Sequence, residues 1–464
     1  MAPYSSEPTA DSDSFTYGST RLTSFLFPLP PIPVIVSEWA SLLPLIFHLT
    51  DGYSAHHIVG DVSLRGKLRL GILPRLGILR NLARLLEFHF EFLDLATTGA
   101  ISQTVYDANW GSVFPAANGA ACYRLTSFLA AQAGPVKHLP DFVKPLCQAN
   151  QSTSTSKSSL EPNAVPLQER ETPKDRSQPW RRYQILTITH FRRTSDQQCD
   201  AGSKSPALAT WRSGIHAALL VALAFCLIAM GGYGSAATLL LSVAITAVVR
   251  FTRVKVVRPP GYMLNNEGTN GCMLVAAHQN SNVWHLFCGD RGVIDTLLNK
   301  PMIAFEHNTQ VLAKWLHLAH IAQVLCMTYV ASQKGFDGIF LLSIMLAERS
   351  LEWYSGGERL AKKWLRDNGT ELSTHAFRFT GRTPLVGTVQ VMSETPASAW
   401  MDTILIPSTR RELWLKRLEC LRAHVHCSTH ADCFERSQDG DKKWLDLNTR
   451  LVQEAVSFVK PYLG

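Results

Sequence analysis

Two clusters of side chains in this chain have the composition that chemistry needs. The first is His278, His285, Asp290, Asp295, Glu306 and His307. Imidazoles and carboxylates brought together move protons or bind a metal, and His278, His285, Asp290 and Asp295 are the catalytic candidates. Their spacing matches no standard site, so capping, surface and hydrogen-bonding roles compete with a catalytic one. The second cluster is Cys420, His424, His426, Cys427, His430 and Cys433. Soft ligands are dense there, and His426, Cys427, His430 and Cys433 are the metal candidates, because zinc takes four such ligands in a tetrahedron. The paired short spacings of zinc fingers are missing. His317 and His320 share one helical face of an apolar run, where neighbouring groups satisfy an imidazole more often than a metal does. The sequence contains no GxxxxGK[ST] loop, HExxH, GxSxG or EF-hand loop, and no cofactor is implied.

The elements that must position these residues are organised around Ser213–Val249, which carries no Asp, Glu, Lys or Arg. A spanning helix needs about 17–25 apolar residues. Here two runs near or just below that minimum, Gly214–Met230 and Ser235–Val249, meet at Gly231-Gly232-Tyr233-Gly234, and flanking polar residues that snorkel to the interface extend them. Small residues recur in both and let the two backbones approach closely. Basic residues flank both sides: Arg181, Arg182, Arg192, Arg193, Lys204 and Arg212 before, Arg250, Arg253, Lys255 and Arg258 after. An excess of Lys and Arg marks the cytosolic side, so the glycine-rich turn faces away from the cytosol. The net charge of +8 concentrates beside the hairpin and reads as membrane-surface charge. No aromatic-interleaved basic motif points to nucleic acid. The ten cysteines include no CxxC pair, and Cys226 and Cys326 lie inside apolar runs. Such usage is not a secreted disulfide framework.

Residues 1–23 are polar and expected to be disordered. Residues 24–150 read as a helical region able to associate with a membrane. Its prolines at 28, 30, 31, 33 and 44 argue for an extended lead into a short helix. Within it Leu79, Leu82, Leu86 and Phe90 mark one face of an amphipathic helix over Leu64–Leu95. Residues 151–210 are polar and proline-containing and read as a disordered linker. The transmembrane hairpin occupies 211–252. A cytosolic α/β segment follows over 253–314, with a strand at Cys272–Ala277, a helix capped by Asp290 and a strand at Pro301–Phe305. Residues 315–353 form a second apolar helical region, read as a second spanning hairpin, as helices packed against the membrane domain or as a soluble core. Residues 354–464 read as cytosolic strands, His375–Phe379 and Leu385–Met392, and C-terminal helices carrying Leu413, Leu418, Trp444 and Val452. Two sequons, at Asn150 and Asn368, fall on the cytosolic side and stay unmodified in this topology.

Several stretches resemble an uncharacterised family of multi-pass membrane proteins from filamentous fungi: AAHQNSNVWHLFCGDRGVIDTLLNKPMI (276–303), MTYVASQKGFDG (327–338), FTGRTPLVGTVQ (379–390) and SAWMDTILIPSTRRELWLKRL (398–418). The resemblance covers roughly residues 215–421. It implies a membrane protein and no particular activity, so no site residue is carried over. The expected fold class is an α-helical membrane protein with two to four transmembrane helices, a small cytosolic α/β or α+β portion and a disordered linker. The expected partner is the lipid bilayer, and the expected role is structural or regulatory. A membrane-bound enzyme acting at the cytosolic interface is the alternative.

Overall fold

The computed structural model describes residues 33–50, 55–68, 70, 73, 77–98, 101–139, 183–193, 206–252, 256–257, 269–305, 309–333, 335–355, 357–395, 397–423 and 439–462. The expectations for 1–23 and for most of 140–182 lie outside these residues. The described chain is mostly helical and carries a mixed seven-stranded sheet.

In chain order the helices before the sheet are α1 (Val34–Thr50), α2 (Ala55–Arg65) and α3 (Ile78–Thr97). The sheet is built from β1 (Thr104–Asp107), β2 (Val113–Pro115), β3 (Lys137–His138), β4 (Gln184–Arg193), β6 (Asn270–Ala276), β7 (Val283–Asp290) and β9 (Thr370–Phe379). A two-stranded ribbon pairs β5 (Val256–Val257) with β8 (Ala304–Phe305). Between these strands come α4 (Gly119–Gln132), α5 (Pro206–Ala229), α6 (Tyr233–Phe251), α7 (Arg291–Leu298), α8 (Thr309–Ser332), α9 (Asp337–Ser355) and α10 (Gly357–Asp367). Helices α11 (Arg382–Met392), α12 (Thr409–Arg422) and α13 (Asp439–Val459) end the chain.

The sheet order is β2-β1-β6-β7-β4-β9-β3, antiparallel except for the β4/β7 and β3/β9 pairs. Each face buries its own core. Phe191, Met273, Val275 and Phe287 point toward α2, α3, α4, α7 and α10. Leu186, Ile188, Leu274, Trp284, Leu286 and Phe377 point toward α11 and α13. This period-two division is what a strand buried on both sides requires.

Three features differ from expectation. Gln184–Arg193, inside the expected linker, is a ten-residue strand near the centre of the sheet. It pairs with β9 from Gln184↔Phe379 to Arg193↔Thr370. Ile, Thr and Phe favour a pleated, packed surface, and the polar sequence on either side obscures them. Leu385–Met392, expected as a strand, belongs to α11. Pro384 sits in its first turn, where the missing N–H costs nothing. Leu385, Val386 and Val389 bury against the sheet. A Cβ at Gly387 would lie 2.5 Å from Val452 and 2.6 Å from Trp414, so this glycine lets α11 approach α12 and α13 closely. Tertiary packing of this kind overrides β propensity. The expected helix over Leu64–Leu95 begins only at Ile78, as α3, Leu64 and Arg65 being the end of α2, and Leu79, Leu82 and Leu86 are buried as predicted. The expected short helix of this region is α1, which begins directly after Pro33 and runs through Pro44.

The apolar region matches the sequence reading as far as helices go. The hairpin is α5 and α6, and the second apolar region is α8 and α9. Among the described residues α6 and α8 are long and apolar enough to cross a membrane, while α1 and α5 carry shorter apolar stretches at Val34–Leu49 and Gly214–Ala229. These helices pack as one bundle, α5 on α6, α6 on α8, and α1 on both α8 and α9. Helix α3 packs along α8 and joins the bundle to the sheet.

Candidate functional site

The catalytic candidates do not converge. His278 lies in the turn after β6, where its Nδ1 accepts from Asn280 N at 3.1 Å. Asp290 ends β7 and accepts from Val293 N at 3.1 Å, the expected cap of α7. His285 and Asp290 are five residues apart on one strand, roughly 17 Å at the rise of a strand. Asp295 belongs instead to a buried ion cluster. Arg291 Nη2 lies 2.6 Å from Asp107 Oδ2, and Arg291 Nε lies 3.4 Å from Asp295 Oδ2. All three side chains are at most 2% exposed, and Trp110 covers the guanidinium at 3.3 Å. Asp107 Oδ1 also accepts from the backbone N–H groups of Asn109 and Trp110, which shapes the β1–β2 turn. The group ties β1 to the start of α7.

His285 sits in the middle of β7, stacked on Phe287, with its Nδ1 buried and unpartnered among the described residues. Burial pushes its pKa from the ordinary 6.5 down to about 4. Since the folded value is the lower one, the unfolded chain takes up the proton first as the pH falls. The stability that His285 permits is intact above about pH 6.5 and is lost progressively toward pH 4. His285→Leu is therefore expected to flatten the pH dependence of the urea midpoint across that window. An unchanged slope would remove His285 as its source.

The metal candidates His426, Cys427, His430 and Cys433 lie outside the described residues, as do Glu306, His307 and His424. Among the described residues no group of three or more His, Cys, Asp or Glu is placed to hold a metal ion. A shallow pocket of about 400 Å³ opens beside Ser408, Arg410, Trp414 and Trp444, and Arg410 there is already paired with Asp441 at 2.5 Å.

The helical bundle is the other place where polar chemistry is concentrated. The α5–α6 turn and the α8–α9 turn meet at one end. Asp337, 4% exposed, accepts from Gly234 N at 2.7 Å, Ser235 N at 2.8 Å and Ser235 Oγ at 2.5 Å. Its carboxylate thus caps α6, where the helix dipole favours negative charge. Close approach at this end depends on small residues. A Cβ on Gly234 would lie 2.3 Å from Val330, and one on Gly338 would lie 2.5 Å from the Ser41 backbone.

From that end α1 runs alongside α9 and against the direction of α8. Ser41 lies at Gly338, Leu45 packs on Met327, Val330 and Leu341, and His48 stacks on His320 at 5.2 Å. His48 is 5% exposed, and among the described residues neither ring nitrogen has a hydrogen-bond partner. Gln323, 2% exposed, has an unpartnered Oε1 one turn along α8. Buried groups of this kind are ones that enclosed water or a small polar ligand satisfies. His317 is paired with Glu87 of α3 at 3.2 Å, at the bundle's other end. The i, i+3 spacing of His317 and His320 was readable in the sequence, but His48 and Asp337 had no sequence signal linking them to their partners.

The outer surface of the bundle is apolar. Ile35, Leu49, Leu219, Phe225, Leu318 and Leu325 are each more than half exposed. Exposed aromatic residues bracket this surface. Trp39, Tyr233 and Tyr329 lie at the Asp337 end, and Trp315, Trp353 and Tyr354 at the opposite end. The opposite end also carries exposed Arg80, Arg84, Arg250, Lys314, Arg349 and Arg359.

Comparison with family models, curated proteins and solved structures finds no match to this chain.

Proposed function

We propose that the protein is a multi-pass integral membrane protein in which α1, α5, α6, α8 and α9 sit in the bilayer. The sheet and its covering helices then lie at the cytosolic face, in a structural or regulatory role. The observation that carries this reading is the apolar outer surface held between two sets of aromatic side chains. Soluble monomers rarely expose contiguous apolar patches beyond a few hundred Å². Trp and Tyr concentrate at both membrane interfaces. Trp315 and Tyr329 are separated by roughly 21 Å along α8 at ~1.5 Å per residue. That is short of the ~27–33 Å of cellular bilayers, and the reach of the rings makes up part of the difference. Basic residues gather at the sheet end, which the positive-inside rule assigns to the cytosol. The glycine contacts at Gly234 and Gly338 are the close packing that lipid-embedded helices use. The resemblance to fungal multi-pass membrane proteins points the same way.

Alkaline carbonate extraction of membranes carrying the full chain tests this. The protein is expected to stay in the pellet with a detergent-soluble marker of the bilayer. Quantitative release into the supernatant would reject the reading.

A further inference from the structure

Helix α10 begins one residue after α9 ends and presents Arg359, Lys362, Lys363 and Arg366 at i, i+3, i+4 and i+7. This spacing gathers four cations into a single stripe, and all four are exposed. The opposite face is fixed against the sheet core by Ala361, Trp364 and Leu365, which are at most 5% exposed. The helix therefore has no freedom to roll its charges away. The stripe is also tied in height to the aromatic set at the sheet end. Arg359 Cζ lies over the Tyr354 ring at 4.5 Å, and Trp353 and Tyr354 are 89% and 70% exposed. Arg366 is at most about 10 Å further along the helix axis. That distance is about one Debye length at ~0.1 M salt, so every cation in the stripe feels charge at the level of Tyr354. The acidic residues of α10 are Glu358 and Asp367, flanking the stripe, with Lys363 and Asp367 4.0 Å apart on the surface, a weak pair.

We propose that this stripe is a binding surface for the phosphate headgroups of anionic phospholipids in the same membrane leaflet. The inference rests on the bundle being embedded in lipid. Phosphodiester oxygens match the guanidinium forks of Arg359 and Arg366, and Lys362 and Lys363 supply point charges between them. Each such cation at an anionic surface is worth about fivefold in affinity.

The test uses the full chain reconstituted in nanodiscs of phosphatidylcholine with a minority of phosphatidylserine. Lipid retained on the released protein is read by native mass spectrometry. The wild type is expected to retain phosphatidylserine preferentially. A variant carrying R359Q, K362Q, K363Q and R366Q is expected to lose that preference on the order of tenfold or more, with unchanged circular dichroism. A control variant carrying K416Q and K443Q, exposed lysines on α12 and α13, is expected to keep it. Equal retention by the wild type and the four-site variant would overturn the proposal, as would equal loss in the control. Displacement of the lipid by millimolar inorganic phosphate would assign the stripe to a soluble anion and overturn it too. Carbonate extraction of the same samples separates the two claims. Release of the wild type rejects the embedded bundle, whereas a pelleted protein with no lipid preference rejects only the stripe.

Discussion

Asp337→Ala is expected to destabilise the bundle by about 3–5 kcal/mol, read as a fall in thermal midpoint in detergent or nanodiscs. The carboxylate accepts from Gly234 N, Ser235 N and Ser235 Oγ in a site only 4% exposed. Hydrogen bonds to a charged group contribute about 1.5–3 kcal/mol each, and a buried donor left without a partner carries its own desolvation cost. Asp337→Asn keeps one carbonyl oxygen and is expected to lose about half as much. If alanine is tolerated within ~0.5 kcal/mol, the range of an ordinary surface change, the two turns are not held together in the way described.

Arg291→Met is expected to cost about 3–5 kcal/mol in the sheet region. Removing the cation leaves Asp107 and Asp295, each 1% exposed, as uncompensated buried charges. Adding Asp107→Asn and Asp295→Leu removes the stranded charges and is expected to recover part of the loss at neutral pH, because apolar replacement of a buried ion group is often near neutral. Failure of this triple variant to recover any of the loss would mean that the cluster is not held by charge pairing.

Features that depend on local pattern were legible in the sequence. The uncharged run from Ser213 to Val249 is read directly as two helices, and the capping of α7 by Asp290 follows from one residue type before one apolar stripe. The C-terminal helices follow from their spacing of Leu and Trp, with Trp414, Leu418 and Val452 in one buried cluster. What depends on distant partners was not legible. β4 carries strand-favouring Ile185, Ile188 and Phe191, but one short run between polar stretches does not show that β7 and β9 flank it at the heart of the sheet. α11 packs closely on α12 and α13 only because Gly387 leaves room for Trp414 and Val452, partners far along the chain. The candidate cluster from His278 to Asp295 looked compact in sequence, but residues close in number on an extended strand are drawn apart in space. His48 meets His320 across 272 positions of sequence, and no periodicity signals such a pairing.

The embedded bundle is most directly tested by nitroxide labels placed one at a time at Leu219, Leu325 and Leu447 of the full chain in liposomes. Power-saturation EPR then compares collisions with oxygen and with a water-soluble nickel complex. Leu219 and Leu325, 63% and 64% exposed on the outer surface of the bundle, should favour oxygen, while Leu447 on α13, 45% exposed, should favour nickel. Nickel access at Leu219 and Leu325 equal to that at Leu447 would contradict lipid as the solvent of this surface.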